Sequence, residues 1–75
     1  MMGFRTTMRE NRARLEMSQE ELAKKVGVRR ETIGNLEKGR YNPSLKLAVD
    51  IARVFGRRVE EIFLFDEAET EEKGR

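Results

Sequence analysis

The chain of 75 residues is one domain, near the lower limit at which an unaided core holds together, so a subunit interface is expected to supply part of its stability. Cysteine and histidine are both absent, which removes disulfides, thiol nucleophiles, the usual zinc and haem ligands and the commonest general base; neither an enzyme nor a metal or cofactor protein is expected. Charged residues make up 40% of the chain, and the formal net charge of +2 is unevenly divided: residues 1–65 carry 14 Lys and Arg against 9 Asp and Glu, giving +5, whereas residues 66–75 carry 2 against 5, giving −3.

A basic domain therefore precedes an acidic tail, and the expected division is 1–65 and 66–75. The basic part suits a polyanion, whose phosphates supply affinity through counterion release. The tail, Asp66 to Arg75, reads either as a solvated end or as a segment that repels DNA or binds a basic partner. No apolar run approaches the length of a membrane span and Met1 to Thr7 lacks the hydrophobic stretch of a secretory signal, so the chain is expected in the cytoplasm.

In chain order, the first predicted helix runs from Thr7 to Leu15, with Met8, Arg12 and Leu15 inward and Arg5, Arg9 and Arg14 open to solvent or phosphate. Ser18 followed by Glu21 is a capping box, so a second helix starts at Gln19, with Met17 as a staple against Leu22. Leu22, Ala23 and Val26 fall on one face of it, and Gly27 leaves it with a positive φ that glycine adopts at little cost. After a turn at Gly27-Val28-Arg29, a third helix spans Arg30 to Lys38, burying Ile33 and Leu36 and turning Arg30, Glu31, Gly34 and Asn35 outward; Gly39 ends it. Ser44 caps a fourth helix in which Leu45, Ala48, Ile51, Ala52 and Phe55 recur at core spacing, closed by Gly56. Val59 to Phe63 reads as a short fifth helix with an acidic first turn, and Leu64 and Phe65 carry the apolar character past its end.

Two short helices joined by a tight turn are the outline of a helix-turn-helix, which lays its second helix in the DNA major groove. The run from Met17 to Phe63 resembles the Cro and phage-repressor type of this motif, the XRE family. Ser18-Gln19-Glu20-Glu21-Leu22-Ala23, Val26-Gly27-Val28, Thr32-Ile33, Leu36-Glu37-Lys38-Gly39 and Tyr41-Asn42-Pro43-Ser44-Leu45 stand at the family's spacing. The last of these resembles a subgroup of very small regulators that includes a cytolysin-operon repressor. The resemblance implies an all-α, five-helix, lambda-repressor-like DNA-binding domain, with a short terminal β-ribbon to which Gly3-Phe4-Arg5 is the candidate contributor. Two positions depart from the pattern: Arg29 replaces the usual Ser or Thr cap of the recognition helix, and Asn11 replaces a Leu or Tyr of the first helix.

What the resemblance implies for function is a homodimeric transcriptional regulator, in the simplest case a repressor, acting on double-stranded DNA with an inverted-repeat operator. Carried over position by position, Arg29, Arg30, Glu31, Thr32 and Asn35 are the candidate base readers. Arg can bond both acceptors of guanine, Asn both edges of adenine, and Glu can accept from the cytosine amino group, while Thr32 suits a phosphate or a thymine methyl. The alternative for Arg30 is an ion pair with Glu31 or Glu37; for Glu31 it is orienting an Arg. Gly34 inside a helix costs about 1 kcal/mol relative to Ala, for which close approach to the bases is one explanation. Gln19, Lys38, Arg40, Tyr41 and Asn42 are the candidate phosphate contacts, the alternative for Tyr41-Asn42-Pro43 being loop structure. Glu37 is expected to cap or to pair with Arg12. Ile62, Leu64 and Phe65 are the candidate dimer interface. A protein-interaction module of antitoxin type, binding a partner protein through Ile62 to Arg75, is the rival reading.

Overall fold

Local chemistry sets most of the helix ends. In the computed structural model, which describes residues 4–40 and 42–65 with the Phe65 side chain left out, the order is β1 (Phe4–Thr6), α1 (Met8–Arg14), α2 (Gln19–Val26), α3 (Arg30–Glu37), α4 (Leu45–Phe55), α5 (Val59–Ile62) and β2 (Phe63–Phe65). The architecture is the expected five-helix domain with a small terminal strand pair. Both halves of the α2 capping box form: Ser18 Oγ accepts from the Glu21 amide at 3.0 Å, and Glu21 accepts from the Ser18 amide at 2.8 Å. Gly27 leaves α2 at φ +76°, and its amide with that of Val28 closes on the Ala23 carbonyl, which makes the tight turn into α3. Ser44 caps α4 by accepting from the Leu47 amide at 3.1 Å.

One core holds all the helices. Met8 of α1, Leu22 of α2, Ile33 and Leu36 of α3, Ile51 of α4 and Ile62 of α5 are fully buried, joined by Ala23, Ala48, Ala52, Phe55 and Phe63. The two strands pair antiparallel, Phe4 with Phe65, Arg5 with Leu64 and Thr6 with Phe63, and the Phe4 and Phe63 rings meet at 5.8 Å between centroids. The ribbon thus forms between Phe4–Thr6 and the end of the same chain; Gly3 lies outside the described residues.

Three expected placements are corrected. Leu15 was assigned inward but is 38% exposed. The helix stops at Arg14, Leu15 caps it and Glu16 turns to φ +54°, so the apolar stripe ends before reaching Leu15. Asn11, one turn earlier and the departure from the family pattern, is buried and satisfied by donating from Nδ2 to the Thr7 carbonyl and hydroxyl at 2.9 and 3.1 Å. Leu45, assigned to the core face of α4, is 78% exposed, because the first residue of that helix overhangs the bundle. Ile62, assigned to a dimer interface, is fully buried among the core residues of its own chain and presents nothing to a second subunit. The predicted fifth helix also ends one residue early, since Phe63 enters β2.

Candidate nucleic-acid interface

The outward face of α3 gathers the candidate base readers. Arg30, Glu31 and Asn35 are exposed, Thr32 is half-buried, and Ile33 and Leu36 on the opposite face fix the helix to the core. Arg29 sits at the N-cap in extended conformation with no side-chain cap bond, so the departure from Ser or Thr leaves this end of α3 without a side-chain acceptor and adds a cation in its place.

Hydrogen bonds that run beneath this face fix the tilt of α3. Glu37 at its C-terminal end is 4% exposed in its side chain and pairs with Arg12 of α1, which is 16% exposed, through Nε to Oε2 at 2.6 Å and Nη2 to Oε1 at 3.2 Å. Arg12 also donates to the Met17 carbonyl at 2.9 Å, so the fork ties together α1, the loop before α2 and α3. Gln19, the first residue of α2, donates from Nε2 to Glu37 at 2.9 Å and accepts at Oε1 from Arg30 at 3.1 Å. A continuous chain, Arg12 to Glu37 to Gln19 to Arg30, therefore spans α3 from end to end. The expected pairing of Glu37 with Arg12 is present, whereas Arg30 meets Gln19 rather than Glu31 or Glu37. Gln19, read from sequence as a phosphate contact, is half-buried and committed on both sides of its amide to this chain.

Charge on this surface is one-sided. Because Arg12 neutralises Glu37, the segment from Arg29 to Arg40 presents Arg29, Arg30, Lys38 and Arg40 against Glu31, and none of the four cations is in an ion pair among the described residues. Elsewhere Lys46 pairs with Asp50 at 2.7 Å and Arg58 with Glu60 at 3.7 Å. Lys38 caps α3, and Arg40 follows Gly39 with its amide bonded back to the Asn35 carbonyl at 3.0 Å, which brings both cations to the C-terminal end of the helix. Asn42 is exposed beyond them; Tyr41 lies outside the described residues. Leu64 is 37% exposed beside Arg5 on the ribbon.

Two glycines answer different needs. Gly39, at φ +69°, lies so close to β1 that a Cβ would stand 2.8 Å from the Phe4 carbonyl oxygen, a distance side chains do not tolerate. Gly34 is not constrained in this way: a Cβ there would meet only Gln19 Nε2 at 3.9 Å, an ordinary contact. Among the described residues no group of carboxylates is arranged to hold a metal ion, and no helix is long and apolar enough to cross a membrane.

A helix held rigidly by a buried acid, with an exposed polar and cationic face and a tight αL turn before it, defines the helix-turn-helix class. Residues 8–62 match the helix-turn-helix family model, and the chain belongs to the XRE-type helix-turn-helix family of transcriptional regulators. It is 67% identical over 70 residues to an HTH-type transcriptional regulator of Archaeoglobus fulgidus, covering 93% of this chain and 99% of the relative. It is 43% identical over 64 residues to the HTH-type regulator YgzD of Bacillus subtilis, covering 85% of this chain and 97% of that one. Among solved structures, the restriction-modification controller protein C.AhdI of Aeromonas hydrophila matches with a TM-score of 0.66 and 33% identity, over 72% of this chain and 82% of that one. The hypothetical transcription factor NHTF from Neisseria matches with a TM-score of 0.68 and 31% identity over 73% of this chain, which spans 62% of that protein.

Proposed function

We propose that this protein is a sequence-specific DNA-binding repressor that acts in the cytoplasm as a homodimer on an inverted repeat. The observation that carries this is the outward face of α3, where candidate base readers and cations that have no ion pair among the described residues share one surface of a helix locked at both ends. Arg30, with Arg29, Glu31, Thr32 and Asn35, reads base edges in the major groove; Lys38, Arg40, Tyr41 and Asn42 hold the phosphates that flank it. Gln19 orients Arg30 and offers its remaining amide hydrogen to a phosphate at the amino end of α2. Pre-setting the Arg30 side chain in this way reduces the rotamer entropy lost on binding.

Pairing of two subunits through Leu64 and Phe65 of β2 sets two recognition helices about one helical turn apart, and a dimer so placed represses by covering a promoter. Selection of bound duplexes from a random pool near physiological salt, with the protein's mass in solution measured alongside, tests the reading. A palindromic consensus bound by a dimer is the expected result. Recovery of no consensus, from a monomer, would overturn it and turn attention to a protein partner of Leu64 to Arg75.

A further inference from the structure

The acidic segment after β2 starts at an informative place. β2 runs away from α5: its first residue pairs with Thr6, and its last, Phe65, pairs with Phe4. The Phe4 carbonyl abuts Gly39, which lies between Lys38 and Arg40. Phe65, the last described residue of β2, therefore lies about one strand spacing, roughly 5 Å, from a backbone that touches the C-terminal end of the recognition helix. Arg57 and Arg58, both exposed, lie before α5 in the chain and are the other cations against which the docking site is tested.

The segment that starts here, 66–75, holds Asp66, Glu67, Glu69, Glu71 and Glu72 against Lys73 and Arg75, a net −3. Next to its starting point stand Arg5, opposite Leu64 on β1, and then Lys38 and Arg40, and none of these three is in an ion pair among the described residues. Ten residues have an r.m.s. span of about 17 Å, enough to lay several carboxylates across the cations flanking Gly39. A short tether of this kind gives an effective concentration of order mM, at which weak individual ion pairs become populated together.

We propose that the acidic tail 66–75 docks on Arg5, Lys38 and Arg40 and competes with DNA phosphate for the last two. The inference rests on the reading of Lys38 and Arg40 as phosphate holders. Its consequence is a higher threshold for occupancy. Random duplex and operator both use the phosphate contacts of Lys38 and Arg40, so displacing the tail costs each the same free energy, and the tail weakens both by a common factor. A duplex that adds base contacts still binds, whereas one held by phosphate contacts alone falls below the level at which it is occupied.

Docking is read first without DNA. The chain has no cysteine, so Thr70→Cys provides a single attachment site for a nitroxide. At low salt the label should broaden the amide signals of residues 5 and 37–42 selectively, and the broadening should vanish at high salt and when duplex is added. Broadening that is absent, or centred on Arg57 and Arg58, overturns the proposal. Competition is read with a variant carrying Asp66→Asn, Glu67→Gln, Glu69→Gln, Glu71→Gln and Glu72→Gln. It should bind random duplex about three- to tenfold more tightly than the wild type at low salt, with the two converging as salt rises.

In a Lys38→Ala, Arg40→Ala background that gain should disappear. Its persistence there would mean that the tail acts only by general repulsion, and would overturn the docking site. Equal affinity of wild type and neutral-tail variant overturns the inference while leaving the DNA-binding reading intact; failure of both to bind any duplex overturns that reading and the inference with it.

Discussion

Replacing Glu37 by Ala is the sharpest perturbation of the scaffold that carries the recognition face. The Glu37 carboxylate, 4% exposed, accepts three hydrogen bonds: two from the Arg12 guanidinium and one from Gln19. Truncation leaves a guanidinium that is only 16% exposed without its counter-charge, and an amide donor without an acceptor. Removal of one partner of a buried ion pair costs about 3–5 kcal/mol, most of it the cost of the stranded charge. A domain of this size has a total stability of roughly 4–11 kcal/mol, so Glu37→Ala should remove about half of it and lower the urea midpoint in proportion. The assay is urea unfolding followed by far-ultraviolet circular dichroism. Arg12→Met combined with Glu37→Met removes both charges at similar volume and should cost well under the sum of the singles, with a coupling of about 2 kcal/mol or more. A cost below about 1 kcal/mol for Glu37→Ala, the range of exposed ion pairs, would refute the claim that this pair anchors α3.

Three further substitutions separate the backbone arguments. Gly34→Ala should stabilise the fold by about 1 kcal/mol, raising Tm by roughly 4–8 °C, because helix propensity improves and the added methyl meets only Gln19 at 3.9 Å. Gly39→Ala should destabilise by more than about 2 kcal/mol in the same thermal scan, since it combines a left-handed φ with a collision against the Phe4 carbonyl. Glu16→Gly should raise Tm by a few degrees, because relief of a left-handed residue at φ +54°, about 1–2 kcal/mol, outweighs the extra chain entropy of glycine, about 0.5–1 kcal/mol.

Features governed by neighbours in the chain were legible in the sequence. The Ser18 and Glu21 capping box, the αL exit at Gly27 and the core positions Ala48, Ile51, Ala52 and Phe55 all depend on spacing within one helix, and each is present as expected. Spacing does not reveal where a bundle ends, which is why Leu15 and Leu45 were assigned inward and are exposed. The run Ile62-Phe63-Leu64-Phe65 shows a second limit. Its apolar character reads as one sticky segment, but Ile62 closes α5 inside the core while Phe63 and Leu64 alternate in and out in a strand whose partner, Phe4–Thr6, lies at the other end of the chain.

Within the candidate interface, the exposed positions of α3 follow from its period, and the Arg12 and Glu37 pairing was expected from the charges on the first and third helices. Gln19 reads from the sequence as a phosphate contact alone. Its two partners are brought to it by the folding of α3 across α2, and no local pattern announces an amide shared between them.

The division between base readers and phosphate holders is tested most directly by titrating Arg30→Ala and Arg40→Ala against the selected operator, its single base-pair variants and random duplex over a range of salt. Arg30→Ala should lose about 1–3 kcal/mol on the operator and relax the preference at one base pair, while Arg40→Ala should weaken every duplex alike and reduce the salt slope by about one. Equal losses by both variants on all sequences would contradict the assignment of the amino end of α3 to base recognition.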